Sequence, residues 1–167
     1  MDIRERTLRA SGFHAPQPGV VEVLDEALIV VDAAGVISTV TRKDDPGYES
    51  ALTVARAEGR LSDLPAGFYL LPGLVDLHIH APQYPQLGNA LDVPLEVWLE
   101  RYTFPLEARY RDAAFAKRTY SVLVDDLIAN GTTTALYFAT IHDEATRLLA
   151  DICLEKGQRA LIGKVVM

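Results

Sequence analysis

From Gly73 onward the chain alternates apolar, strand-like runs with amphipathic helical stretches, and this alternation restricts the architecture more than any other feature. Gly73-Leu74-Val75-Asp76-Leu77-His78-Ile79-His80 is a largely apolar run suited to a strand covered on both faces. A long connection follows, carrying Pro82, Pro85, Pro94 and Pro105, with a short helical stretch at Leu95–Tyr102. Asp112 can cap the next helix, in which Ala116, Tyr120, Leu123, Leu127 and Ile128 share one face before Gly131 ends it. Thr132–Phe138 reads as a second strand. Asp143 to Lys156 is a helix with Ala145, Leu148, Leu149 and Ile152 on one face, stopped at Gly157. Arg159 to Met167 reads as a third strand. Strands joined by helices in this order form a parallel sheet with right-handed crossovers. Such a unit is either part of a doubly wound sheet or the opening of an eight-stranded barrel, and periodicity does not separate the two.

The first seventy residues follow another pattern. Val20–Leu24 and Ala27–Val31 are short runs rich in β-branched residues, and Asp32-Ala33-Ala34-Gly35 before Val36–Val40 reads as a hairpin turn, giving a small antiparallel β unit. Residues 43–63 are polar, with a short helix around Glu49 to Glu58, and suggest a surface excursion. The boundary between the two regions falls near Pro72-Gly73, with 1–70 as the β unit and 71–167 as the strand–helix region.

Several functional classes are disfavoured. Sixteen Lys and Arg against 23 Asp and Glu leave a net charge of −7, and the basic residues are scattered, so the electrostatic footprint of a nucleic-acid binder is missing. No run approaches the ~20 apolar residues that span a bilayer, and the start Met1-Asp2-Ile3-Arg4-Glu5-Arg6 lacks the apolar core of a signal peptide. A single cysteine, Cys153, sits in an apolar helical pattern and reads as a buried structural thiol in a reducing compartment. A cytoplasmic protein is the expectation. No Gly-rich phosphate loop follows any strand.

The chemistry-bearing motif is His78-Ile79-His80. Alternate residues of a strand point to one face, so two imidazoles ~7 Å apart along the backbone can converge on one metal ion. Their place at the C-terminal end of a parallel strand is where α/β folds bind ligands. The same spacing also suits two histidines bonded to loops. Asp76 is expected on the same face, either orienting a histidine or bonding to backbone. Gln83 follows at the mouth, where an amide can donate to and accept from a polar ligand. Trp98, Tyr102 and Phe104 form an aromatic cluster in the long loop, able to wall a planar substrate. His142 is read as a helix-capping or loop residue and His14 as surface. A catalytic zinc takes three protein ligands and a water, so two histidines are too few by themselves. The His-x-Glu and Pro-Cys-x-x-Cys signatures of cytidine-deaminase sites are missing.

Leu71-Pro72-Gly73-Leu74-Val75-Asp76-Leu77-His78-Ile79-His80 resembles the Pro-Gly-(Leu/Phe)-(Val/Ile)-Asp-x-His-x-His signature of the amidohydrolase superfamily. Further segments resemble its guanine deaminase family: His80–Tyr84, Trp98-Leu99, Tyr102–Pro105, Asn130–Thr134, Tyr137–His142, Gly157–Ala160 and Gly163–Val165. The resemblance runs from about residue 70 to the end. It implies a TIM-like (β/α)8 barrel of which this chain supplies the first three β/α units, with 1–70 contributing to a composite β-sandwich. It further implies hydrolysis of guanine to xanthine and ammonia by metal-activated water, in purine catabolism, by a cytoplasmic homodimer. His78 and His80 would hold Zn²⁺, and His80, Ala81, Pro82, Gln83, Trp98 and Leu99 would line the purine. The family's remaining metal ligands, proton-shuttling glutamate and purine-binding arginine belong to later strands, so no catalytic residue is assigned here. The barrel is therefore expected to be incomplete, and the chain alone unstable and inactive. Other readings are a different amidohydrolase, such as a ring deaminase or triazine-type hydrolase, and a non-catalytic chain acting through a partner.

Overall fold

The computed structural model describes residues 2–166, and the chain divides into two compact units, Met1–Pro72 and Gly73–Met167. In the first, β1 (Thr7–Gln17), β2 (Val20–Val31), β3 (Ile37–Thr41) and β4 (Leu61–Asp63) form a sheet in the order β3-β2-β1-β4, with helix α1 (Tyr48–Ala57) before β4. The hairpin pair β2–β3 is antiparallel as expected; β1, not anticipated from the sequence, pairs antiparallel with β2 and in parallel with β4. The two runs read separately at 20–24 and 27–31 are one strand. Ala10 pairs with Ala27 and Gly12 with Leu24, so β2 carries an extra residue at the point where Glu26 takes a positive φ of 45°. Such a bulge bends a strand without ending it.

The segment 43–63 is not merely a surface excursion. Tyr48, Leu52 and Ala55 are buried, and the first two form a cluster with the fully buried Leu28. The Tyr48 hydroxyl donates to the carbonyl of Glu26 at 2.6 Å, which ties the helix to the bulge. Low average hydrophobicity concealed a narrow apolar stripe. His14 lies on β1 and meets Glu22 Oε2 at 2.9 Å, consistent with its reading as a surface residue.

In the second unit β5 (Leu74–His80), β6 (Thr132–Phe138) and β7 (Arg159–Gly163) form a parallel sheet in the order β5-β6-β7. The fold is mixed α/β with a parallel sheet. The third strand is shorter than the expected run to Met167; it stops at Gly163, and Met167 lies outside the described residues. Helices α4 (Ala113–Ala129) and α5 (Asp143–Lys156) cover one face. Their Tyr120, Leu123, Val124, Leu149 and Ile152 pack with Ala135 and Tyr137 of β6 into the unit's core. Asp112 caps α4 by accepting from the Ala114 and Phe115 N–H groups at 2.9 and 3.3 Å. Gly157, at φ 75°, ends α5 in the left-handed conformation that glycine adopts without a Cβ penalty.

The long connection is more helical than its prolines suggest. After a 3₁₀ turn at Ala81–Gln86 come α2 (Leu95–Trp98), a π-turn at Leu99–Thr103, α3 (Phe104–Ala108) and a 3₁₀ turn at Arg109–Arg111. Pro105 lacks an N–H and its ring would crowd the carbonyl four residues back, so the ladder widens into the π-turn ahead of it instead of breaking.

β5 also departs from expectation. It is not covered on both faces: among the described residues Leu74, Val75 and Leu77 are exposed, and Leu161 of β7 is 66% exposed. Gly73, just before β5, allows a close approach, because a Cβ there would lie 1.9 Å from Thr133 Oγ1. Among the described residues no helix is long and apolar enough to cross a membrane.

Candidate metal centre

The position of the two histidines rests on an irregularity in β5. Asp76 pairs with Ala135 and Ile79 with Tyr137, so three steps along β5 match two along β6, and Leu77 and His78 form a bulge. Past it, Ile79 is level with the buried Tyr137 and packs against the helix-covered core, while His80 is level with Phe138. Asp76 precedes the bulge, level with the buried Ala135, and lines the same cleft as both imidazoles. Its carboxylate accepts the backbone N–H of His78 at 3.0 Å. Of the two roles open to Asp76, the structure shows the backbone bond, which braces the bulge.

His78 and His80 do converge. Their Nε2 atoms are 3.1 Å apart and their ring centroids 5.0 Å apart. Phe138 supports both, with its ring centroid 4.7 Å from that of His78 and 4.9 Å from that of His80, the latter stacked at 14°. Two nitrogens bound to one tetrahedral zinc at ~2.0–2.1 Å lie roughly 3.3 Å apart, so the pair fits adjacent positions in one coordination sphere. It is half of such a set. Among the described residues no group of three or more His, Cys, Asp or Glu side chains could hold a metal ion.

The expected substrate residues are brought together only in part. Gln83 lines the cleft that holds both imidazoles, together with Asp76, Tyr84, Leu87, Leu123 and Leu127. Ala81 and Pro82 are fully buried under the 3₁₀ turn, so they support this wall rather than face the cleft. Trp98 and Leu99 are half-buried on the helical arm and do not line the cleft; the Trp98 indole N–H donates to the Asn89 carbonyl at 3.1 Å. The aromatic cluster that forms is not Trp98, Tyr102 and Phe104 but Tyr110, Phe115 and Tyr120, with neighbouring centroids 5.1 and 4.9 Å apart. Their spacing matches the packed start of α4, not the exposed arm.

Three features were missed by sequence reasoning. Glu107, on α3, accepts from Gln83 Nε2 at 3.0 Å across 24 residues of chain. A second cleft of about 330 Å³ lies between Phe104, Glu107 and Ala108 on one side and Thr140, Ile141 and His142 on the other. His142, at the start of α5, makes no side-chain cap; its Nε2 is buried with no hydrogen-bond partner among the described residues. The Glu107 bond depends on how α3, leading out of the π-turn, packs against the 3₁₀ turn at Ala81–Gln86. Nothing in the local pattern around Pro105 announces it.

Residues 69–167 match the amidohydrolase family. Over 97% of its length the chain is 39% identical to guanine deaminase of Dictyostelium discoideum, of which it spans 38%. Among solved structures, guanine deaminase from C. acetobutylicum with bound guanine superposes with a TM-score of 0.80 at 32% identity, covering 97% of this chain and 36% of that one. An adenosine deaminase from Xanthomonas campestris with bound zinc superposes with a TM-score of 0.64 at 26% identity, covering 95% and 33%. The chain thus spans little more than a third of these relatives' own length. With its Pro72-Gly73 entry into β5 and its convergent His78 and His80, the chain belongs to the amidohydrolase family.

Proposed function

We propose that this chain carries the first part of a guanine deaminase site, with His78 and His80 as zinc ligands and Gln83 as a purine contact. The observation that carries the reading is the 3.1 Å approach of the two Nε2 atoms at the C-terminal end of β5, where parallel α/β folds place their ligands. Similarity to guanine deaminases over nearly the whole chain supports the substrate, and zinc in the related adenosine deaminase supports the metal.

The reaction takes guanine and water to xanthine and ammonia: a C–O bond forms at the carbon that bears the exocyclic amine, and the C–N bond breaks. Zinc, when bound, supplies Lewis acidity at that carbon's side of the site. The chain's own residues hold and orient. Phe138 stacks on the His80 imidazole and packs tilted against that of His78, which restricts their rotation. The Asp76 bond to the His78 N–H fixes the bulge from which that imidazole projects. Ala81 and Pro82, buried, anchor the turn that presents Gln83. Proton transfers are assigned to none of these residues.

In the same reading β5, β6 and β7 are the opening strands of a (β/α)8 barrel, and residues 1–70 contribute to a composite β-sandwich. The protein is cytoplasmic and homodimeric and acts on a small purine, with no role for nucleic acid or membrane.

The test is zinc binding by the chain and by His78→Ala and His80→Ala, read by competition with a chromophoric chelator, beside an assay of xanthine formation. Losing one ligand is expected to weaken zinc binding about a hundredfold, from roughly 3 kcal/mol per ligand. Equal zinc affinity in the wild type and both variants would remove the basis of the reading.

A further inference from the structure

Resting on the reading above, we propose that Glu107 is a positioning residue which fixes the polarity of the Gln83 amide, leaving its carbonyl oxygen to accept an N–H from a purine. A carboxylate offers only lone pairs, so the amide atom that faces it must be the NH₂ group. Gln83 Nε2 lies 3.0 Å from Glu107 Oε1, a bond strengthened by the charge of its acceptor. Turning the amide over would set its oxygen against the carboxylate.

The other neighbour is His80 Nδ1, 3.5 Å from the same Nε2 and too distant to hold the amide by itself. Gln83 Oε1 has no protein partner among the described residues. The amide therefore enters the cleft beside His78 and His80 with an unpaired acceptor, and an unpaired acceptor selects for a donor. Guanine carries N–H groups on its ring and exocyclic nitrogen. A purine presenting a lone pair at that position would meet oxygen against nitrogen lone pair and be rejected.

Glu107 is well placed for this role. It lies on α3, two residues after Pro105, where the fixed φ of proline and the preceding π-turn set the helix direction. Its side chain is half-buried, so the bond is shielded from competing water. Loop glutamines without such a partner rotate freely and present either end.

Two measurements on the 167-residue chain test the proposal. In a ¹H–¹⁵N spectrum the chain's four glutamines give four side-chain NH₂ pairs, and the pair lost in Gln83→Glu identifies Gln83. That pair is expected to be displaced from free-amide positions and to move back toward them in Glu107→Gln. A Gln83 pair at free-amide positions in the wild type would overturn the proposal.

The second measurement is equilibrium dialysis of guanine with the zinc-loaded chain, comparing wild type, Gln83→Glu, Glu107→Gln and the double swap Q83E/E107Q. Gln83→Glu sets two carboxylates face to face and is expected to weaken binding by about a hundredfold. Glu107→Gln frees the amide to turn and is expected to cost about fivefold to tenfold. The double swap reverses the bond while keeping an acceptor toward the ligand, and is expected to recover to within about fivefold of wild type. A swap as weak as Gln83→Glu, with the fold intact by circular dichroism, would show that the amide donates to the ligand and would overturn the proposal. If Gln83→Glu does not fold, an unchanged affinity in Glu107→Gln overturns it equally. A displaced Gln83 pair in a chain that does not bind guanine would support the Glu107 lock and sink the guanine reading instead.

Discussion

Gln158→Leu is expected to destabilise the strand–helix unit by about 2–5 kcal/mol. Gln158 follows the left-handed end of α5, is only 5% exposed, and holds β6 at two points through its amide. Its Oε1 accepts from the Tyr137 hydroxyl at 2.6 Å, and its Nε2 donates to the Thr132 carbonyl at 3.0 Å, both buried. Leucine fills most of the same volume but strands a hydroxyl and a carbonyl, and each stranded group costs about 1–3 kcal/mol. The Tyr137 ring lies in the core with its ionisation pushed up by burial, so the hydroxyl has no route to water. The double variant Y137F/Q158L removes the stranded hydroxyl and should recover about 1–2 kcal/mol relative to the sum of the single variants. The assay is urea unfolding followed by fluorescence of Trp98, the chain's one tryptophan, which lies in the second unit and reports on it selectively. With a slope of roughly 2 kcal/mol per molar, the midpoint should fall by about 1–2.5 M. A loss below about 1 kcal/mol for Gln158→Leu, or strict additivity in the double variant, would refute the reasoning from stranded partners.

Removing the α4 cap by Asp112→Ala should cost about 1 kcal/mol by the same assay, since the side chain accepts two otherwise unpaired N–H groups. Gly157→Ala should cost about 1 kcal/mol from a positive φ that a Cβ resists, in contrast to a near-neutral exchange of an exposed helix residue. Burial raises the Cys153 thiol to about 11, so iodoacetamide at pH 8 should label the folded chain far more slowly than the chain in urea; equal rates would place the thiol at the surface. The sign of the linked stability follows. The unfolded thiol ionises near its ordinary value of 9.0 and the folded one only near 11, so stability falls as pH rises through that window and is unaffected below it. A Cys153→Ala variant should lose that part of the slope.

Elements whose own side chains carry the pattern were legible in the sequence. Asp143–Lys156 and Thr132–Phe138 agree with the structure to the residue, because caps, stops and apolar faces there are all local. β1 was not read, since Thr7–Gln17 includes Gly12 and Pro16 and lacks a β-branched run; it is held as a strand by β2 on one side and β4 on the other. Buried Tyr48 and Leu52 were hidden in a polar stretch for a related reason, their partner Leu28 being twenty residues distant. At the candidate site the His78 and His80 pairing was legible because strand alternation is a local rule. Glu107 was not, because its bond to Gln83 depends on how a proline-bearing helix packs against the 3₁₀ turn 24 residues back in the chain. Asp76 reaches the same cleft as the imidazoles, but the extra residue at Leu77 and His78 was not legible, because a bulge breaks the count that alternation keeps.

That extra residue has a consequence for how β5 tolerates change. Strand pairing is a counting device with a period of two, and the bulge at Leu77 and His78 acts as a half-step phase shifter between the strand's middle and its C-terminal end. Before it, Val75 and Asp76 keep step with β6 in one phase; after it, Ile79 and His80 keep step in the other. Exchanges of side chain upstream should therefore leave the imidazoles aimed as they are, while deletion of a single residue at the bulge would restore regular pairing and rotate one histidine off Phe138. The strand is tolerant of spelling and intolerant of length.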